Sequence, residues 1–192
     1  MNYPKVSIII LNWNGLEDTI ECLESLKKIT YPNYEVIVVD NGSKGNDAQM
    51  LQERFGDYIH LIQNDRNYGF AEGNNIGIRY ALDNSAPDYL LLLNNDTVAA
   101  PDFLTELIKT AETDANIGIV GPKIYYYDLV GKDNVIWSAG GKISWWHLNV
   151  FYHIGLRDGD LPKYQSIASV DWLTGSAMMF KRQIIENLSL LL

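Results

Sequence analysis

Four short apolar runs, each stopping at a polar turn and each followed by a stretch of helical periodicity, constrain this chain more than any other feature. The runs are Val6–Leu11, Tyr34–Val39, Tyr58–Ile62 and Tyr89–Leu93. Most are continuous rather than alternating, the pattern of strands buried on both faces of a parallel sheet. After the first run, Leu16, Ile20, Leu23 and Leu26 share one helical face, in a helix that opens near Asn14-Gly15 and ends before Tyr31-Pro32. Asp47–Phe55 and Phe70–Leu82 read as the second and third helices, the third despite its glycines. A fourth opens at Ala100-Pro101-Asp102, where proline suits a first turn, and directs Phe103, Leu104, Leu107, Ile108 and Ala111 inward. Successive strand–helix units imply a doubly wound α/β fold with a mostly parallel sheet, since parallel neighbours need right-handed crossovers.

From Ile117 the character changes. Short strand-like pieces at Ile117–Val120, Val135–Ala139 and Gly141–Ser144 are separated by turns and by aromatics such as Tyr125-Tyr126-Tyr127 and Trp145-Trp146. Without a linker or repeat, the simplest organisation is a single domain over 1–192, with a regular half at 1–116 and a less regular, mixed half at 117–192. A chain of 192 residues can bury a core of its own. The net charge of −9 argues against a nucleic-acid backbone as partner, which requires clustered Lys and Arg. A small phosphate ligand stays open, given help from helix N-termini or a divalent cation. Cys22 is the sole cysteine, so neither an internal disulfide nor a thiolate zinc site can form within the chain; its place on an apolar stripe reads as core. The N-terminal residues lack the basic start and apolar stretch of a signal peptide, and the apolar runs are too short to span a bilayer. The expected location is cytoplasmic.

Ligands of open α/β sheets bind beyond the carboxyl ends of the strands. Here those ends lead into Asn12-Trp13-Asn14-Gly15, Asp40-Asn41-Gly42-Ser43, Gln63–Gly69 and Asn94-Asn95-Asp96, four polar segments that converge on one edge. The lone carboxylates Asp40 and Asp96 suggest a site that grips one part of a ligand with the first and a metal with the second. Plainer readings stand beside these: an Asx turn for Asp40, a polar connection for Asn94–Asp96, a core aromatic for Trp13, packing bonds for Asn74 and Asn75, and a surface role for Arg66. His147 and His153 show no ligand spacing. Gly69, Gly73 and Gly77 recur every four residues but do not leave the first strand, so they are not a dinucleotide fingerprint, and no Gly-rich Lys-Ser/Thr phosphate loop is present.

In order and spacing the chain resembles glycosyltransferase family 2, the inverting nucleotide-sugar transferases of GT-A, Rossmann-like fold. The resemblance rests on Val6–Gly15, on Val38-Val39-Asp40-Asn41-Gly42-Ser43, on Asn67-Tyr68-Gly69-Phe70-Ala71-Glu72-Gly73-Asn74-Asn75-Ile76-Gly77, on Leu93–Asp96 and on Trp172-Leu173-Thr174-Gly175-Ser176. The Asn-Trp-Asn-Gly opening and Asn-Asn-Asp look most like the rhamnosyltransferase-containing subgroup. The resemblance implies a nucleotide-diphospho-sugar donor, UDP- or dTDP-linked, with 1–116 as the nucleotide-binding half. Asp40 would accept the base's imide N–H, and Leu11, Asn12 and Trp13 would lie beside the nucleoside. Asn67, Gly69 and Asn74 would shape or contact the loop around it, Asn94 and Asn95 would contact the nucleotide, and Asp96 would ligate Mg²⁺ or Mn²⁺. Asp171, Trp172, Gly175 and Ser176 would face the donor sugar and the acceptor. The acceptor implied is a saccharide or a lipid-linked one, in cell-surface polysaccharide synthesis at the inner face of the membrane. A homo-oligomer stays open.

An inverting transfer needs a carboxylate base, which the resemblance places in an acidic pair downstream of the Trp-x-x-Gly segment. After Gly175 the only acid is Glu186, so the half at 117–192 reads as incomplete and the base as lying beyond Leu192. Weak or absent transfer by this chain is the expectation. Two other classes compete: a non-catalytic nucleotide-sugar-binding or assembly module, and a sugar-nucleotide pyrophosphorylase. The latter wants a basic Gly-rich loop after the first strand, where this chain has Leu16-Glu17-Asp18.

Overall fold

A computed structural model describes residues 3–127, 129, 134–144 and 150–188. The four apolar runs form β1 (Val6–Asn12), β2 (Tyr34–Asp40), β3 (Ile59–Gln63) and β4 (Tyr89–Asn94). Between them lie α1 (Leu16–Leu26), α2 (Asp47–Phe55) and α3 (Gly69–Asn84), and α4 (Phe103–Ala111) follows β4. Pro101 and Asp102 fall before α4, in the turn that leads into it. β1 pairs in parallel with both β2 and β4, and β2 with β3.

The sheet has the order β3-β2-β1-β4-β10-β5, where β5 is Ile119–Val120 and β10 is Ala177–Lys181. The strand order therefore reverses between β1 and β4, which makes their carboxyl ends the switch-point crevice of the fold. β10 is antiparallel to β4 and makes the sheet mixed. No strand–helix unit generates β10. It returns from far along the chain, and its own signal was muted because its residues alternate incompletely. Met179 and Phe180 are buried, whereas Met178 is half-buried.

Chain packing divides the protein into two units, 1–119 with 175–192, and 120–174. The stretch at 117–192 is thus split, and its last part joins the sheet of the first unit. In that unit one face of the sheet presents Ile9, Ile37, Val39, Leu90 and Leu92 to Ile78 and Ala81 of α3 and to Ile185 of α5 (Arg182–Leu188). The alternate residues Ile8, Ile10, Val36, Val38, Leu91 and Leu93 point to the opposite face and are buried as well. The four-residue glycine spacing serves the approach of α3. A side chain on Gly77 would come within 2.6 Å of Ile9, and one on Gly73 within 2.6 Å of Leu11.

The second unit contains β7 (Ile136–Ser138) paired with β6 (Ile124–Tyr125), β8 (Gly141–Ser144) paired with β9 (Val150–His153), and one 3₁₀ turn at Pro162–Tyr164. Its strands are short, and β9 is exposed throughout. Trp145, Trp146 and His147 lie outside the described residues, as do 189–192. His153 is exposed and packs against Trp137 and Trp172.

Cys22 is fully buried on α1, as its place on the apolar stripe implied. Burial pushes its thiol up to about 11, from an ordinary value near 9. The folded chain therefore keeps the proton where the unfolded chain has lost it. The resulting stability is present in full below the unfolded value and disappears as pH climbs from about 9 through about 11. In urea titrations across that window Cys22→Ala is expected to lose stability with pH less steeply than the wild type, and the native thiol is expected to resist Ellman's reagent at pH 8.

Candidate functional site

The registers of the two β1 ladders align the polar strand ends. Asn12 lies opposite Asp40, Leu11 opposite Asn94, and Asp40 opposite Gln63. Each strand is apolar up to this line and polar immediately past it, so the sheet edge carries a row of side-chain amides and carboxylates.

Asn12 is fully buried and organises the row from inside. Its Nδ2 donates to Asp40 Oδ1 at 2.7 Å, to Ser43 Oγ at 3.1 Å and to Asp47 Oδ2 at 3.2 Å. Its Oδ1 accepts from the Thr19 hydroxyl at 2.8 Å. Asp40 is 1 % exposed. Besides Asn12, it accepts from Ser43 Oγ at 2.5 Å and Ser43 N at 3.2 Å. This is the Asx-type turn that was the plainer reading of Asp40. Across the gap to the β1 loop, Asn14 N donates to Ser43 Oγ and Lys44 N to Asn14 Oδ1.

A second buried amide fixes the segment after β3. Asn41 Nδ2 donates to Asn67 Oδ1 at 2.9 Å and to Gly69 O at 3.1 Å. Its Oδ1 accepts from Asn64 Nδ2 at 3.0 Å and from Tyr68 N at 3.1 Å. All four hydrogen-bonding positions of the amide are filled. Gly42 and Gly69 both hold positive φ, and at Gly42 the Arg66 backbone fills the space a side chain would need. Asn67 and Gly69 are thus both tied to Asn41 in this loop. Asn74 belongs to a different structure: it is buried and bonds back to Phe70 O within α3 at 2.8 Å, so its amide is engaged inside the helix rather than at the edge.

On the β4 side, Asn94 N donates to Ser176 O at 2.9 Å, so Gly175 and Ser176 lie at the strand end that leads to Asp96. Thr97 Oγ1 closes the turn onto Asn94 O at 2.7 Å. Asn95 points back to the β1 side, donating to Thr19 Oγ1 at 3.0 Å and to Gly15 O at 3.3 Å. Asp96 is exposed and makes no hydrogen bond or ion pair among the described residues.

Against this satisfied interior, the edge displays aromatic surface. Trp13 is 52 % exposed, which removes it from the core, and Phe70 is 51 % exposed, with its ring end near the open side of Gly175. Tyr68 is exposed as well and carries the Arg66 guanidinium over its ring at 4.9 Å. Leu11 is half-buried beneath Gly73.

Asp171 and Trp172 belong to the second unit. Asp171 Oδ2 accepts from Ile143 N at 2.8 Å and Oδ1 pairs with Lys142 at 3.3 Å. That backbone N–H, helped by the lysine, holds the Asp171 carboxyl below the usual range. The Trp172 ring occupies the place that a side chain on Gly141 would take, and His153 packs edge-on against it with ring centroids 4.6 Å apart. Its indole N–H is buried without a hydrogen-bond partner among the described residues.

The polar strand ends line up at the switch point of the α/β sheet, with the exposed carboxylate of Asp96 at one side. Residues 7–188 match the family described as Glycosyl transferase family 2, and the chain belongs to that family. It is 29 % identical, over 97 % of its length, to the low-salt glycan biosynthesis hexosyltransferase of Haloferax volcanii, and spans 55 % of that protein. It is likewise 29 % identical to the chondroitin synthase of Escherichia coli, over 68 % of its length and 20 % of the relative's. Among solved structures, a mannosyltransferase from Pyrobaculum calidifontis in complex with GDP-Man and Mn²⁺ superposes with a TM-score of 0.68 at 19 % identity, over 99 % of this chain and 48 % of the other. The S. aureus TarS in complex with UDP-GlcNAc gives 0.65 at 15 % identity, over 96 % and 47 %. These likenesses establish the GT-A fold, and the chain spans about half of each of those two structures.

Sequence reasoning missed Thr19, Ser43, Asp47 and Asn41, which bind other residues of the edge. Thr19 could have been found as a polar residue on the face of α1 that carries Leu16, Leu23 and Leu26. Removing the amide at Asn12 leaves a buried carboxylate short of a donor. Asn12→Leu is expected to lower unfolding stability by about 2–3 kcal/mol, measured by urea denaturation.

Proposed function

We propose that this chain forms the donor-binding part of a metal-assisted, inverting sugar transferase. The observation that carries the reading is Asp96, an exposed, unpartnered carboxylate at the end of β4 beside the switch-point crevice. Ligand and sugar contacts at this edge are the expected use of its exposed residues. Trp13 and Tyr68 offer ring faces to a nucleobase, and Phe70, Gly175 and Ser176 border the donor sugar. Asp40, buried behind the β2 loop, shapes the base pocket through Ser43 and Asn12; direct contact with an imide N–H requires that loop to shift. Asn95 likewise acts from behind Asp96.

The described residues hold no cluster of three metal-ligating side chains. One free carboxylate still fits Mg²⁺ or Mn²⁺, because such hard cations take one or two carboxylates and complete their shell with phosphate and water. Bound there, the cation would offset charge on the departing diphosphate. The Pyrobaculum neighbour, bound to GDP-Man and Mn²⁺, and the UDP-GlcNAc complex of TarS support a nucleotide-sugar donor of this kind. UDP- or dTDP-linked donors, a saccharide or lipid-linked acceptor and a place in cell-surface glycan assembly on the cytoplasmic side complete the proposal. No helix among the described residues is long and apolar enough to cross a membrane.

A donor-binding role without turnover is the second reading, and one observation favours it. Glu186, the acid that follows Gly175, is paired with Arg182 at 2.6 Å within α5. The test is calorimetric titration of UDP, dTDP and GDP, with and without Mn²⁺, into wild type and Asp96→Ala. We expect binding that Mn²⁺ strengthens in the wild type, and loss of that strengthening in the variant. Absence of binding by all three nucleotides would overturn the donor-site assignment. Multiple turnovers of sugar transfer to a saccharide acceptor would remove the second reading.

A further inference from the structure

Thr19 stands where the two sides of the crevice meet. It is fully buried on the first turns of α1 and belongs to none of the strand-end segments. Its hydroxyl donates to Asn12 Oδ1 at 2.8 Å, with Gly15 O at 2.9 Å as the alternative acceptor. The same oxygen accepts from Asn95 Nδ2 at 3.0 Å. Asn12 in turn donates to Asp40 at 2.7 Å. A continuous chain of hydrogen bonds therefore runs from buried Asp40 through buried Asn12 and Thr19 to half-buried Asn95, whose neighbour in sequence is Asp96.

The local packing is built for this contact. A side chain on Gly15 would come within 2.6 Å of Asn95 Nδ2, so the absence of one there lets the amide reach α1. The other polar anchors of this turn, Asn94 N to Ser176 O, Thr97 Oγ1 to Asn94 O and the Cys22 thiol to Asn94 O and Thr97 Oγ1, hold the residues on either side of Asn95 and Asp96. The side-chain tether to Thr19 and Gly15 is the one that holds Asn95 itself, the residue immediately before Asp96.

We propose that Thr19 is a positioning residue that couples the two halves of the donor site, holding the Asp96 turn in register with the Asp40–Asn12 side through Asn95. The assignment rests on the donor-site reading above. Groups that orient a ligating side chain from behind typically alter metal affinity by about 10- to 100-fold when removed. Thr19 acts on the cation-dependent part of nucleotide affinity, because the element it steers carries the carboxylate, and it contributes less to nucleotide binding without metal.

The experiment is calorimetric titration of UDP and dTDP, each with and without Mn²⁺, into wild type, Thr19→Val, Thr19→Ser, Asn95→Ala and the Thr19→Val/Asn95→Ala pair. Valine keeps the shape and removes the hydroxyl. Thr19→Val is expected to weaken binding about 10-fold in Mn²⁺, with a smaller loss without metal because the same hydroxyl also holds Asn12. Thr19→Ser, which restores the hydroxyl, is expected to match the wild type. Asn95→Ala should show the same selective loss, and it keeps the question decidable if the valine variant does not fold. The double variant should be no weaker than either single one, since both cut one tether. Unchanged Mn²⁺-dependent affinity in folded Thr19→Val or in Asn95→Ala overturns the proposal. So do equal losses with and without metal, or additive losses in the pair, which would indicate general loosening or direct contact by Asn95. Wild-type chain that binds neither nucleotide overturns the donor-site reading and this inference together, whereas wild-type binding with insensitive variants overturns the inference alone.

Discussion

Strand β1 is hydrogen-bonded along both edges, and those two ladders decide where every polar group of the site falls. Parallel pairing with β2 sets Asn12 against Asp40, and parallel pairing with β4 sets Leu11 against Asn94. A slip of one residue in either ladder would turn the buried side chains to the other face of the sheet and carry the polar ends out of line. The continuous apolar runs guard against this, because both faces are covered and the edge of each run is marked by a polar residue. Gly73 and Gly77 reinforce the arrangement by letting α3 approach Leu11, Ile9 and Val39.

The edge built on this frame has an interior and a surface with different tasks. Inside, Asn12 and Asn41 act as hubs whose amides bind several loops each, and their neighbours Asp40, Ser43 and Thr19 complete the network. Buried polar groups are costly unless partnered, and a fully partnered cluster is correspondingly stiff. On the surface stand Trp13, Tyr68, Phe70 and Asp96, side chains able to meet a ligand. A rigid polar layer behind an exposed aromatic and acidic rim suits the proposed donor site, where a planar base and a charged diphosphate would be held.

The second unit follows another logic. Its strands are two to four residues long, and specific side-chain contacts support them. Asp160 accepts from Lys123, Tyr125 and Gln165, and Asp171 ties its segment to β8. Trp172 lies on Gly141, the one residue type there that leaves room for it. Short hairpins of this kind depend on such anchors because their backbone ladders are too brief to stand alone.

Periodicity sufficed for the alternating strands and helices of the first 111 residues, since a buried parallel strand and an amphipathic helix are local patterns. The motif order also sufficed for the family, and the run of polar residues after each strand located the edge. Sequence could not tell which of those polar residues face inward. Asn12 and Asp40 look as available as Asp96, yet the first two are buried and the third is exposed, because burial depends on which loops close over a strand end. Trp13 and Cys22 make the complementary pair: both are apolar, but only the cysteine sits on a helix face that meets the sheet. The antiparallel entry of β10 between β4 and β5, and the tether of Thr19 to Asn95, join residues far apart in the chain. Contacts of that range leave no periodic trace, so tertiary packing alone decided them.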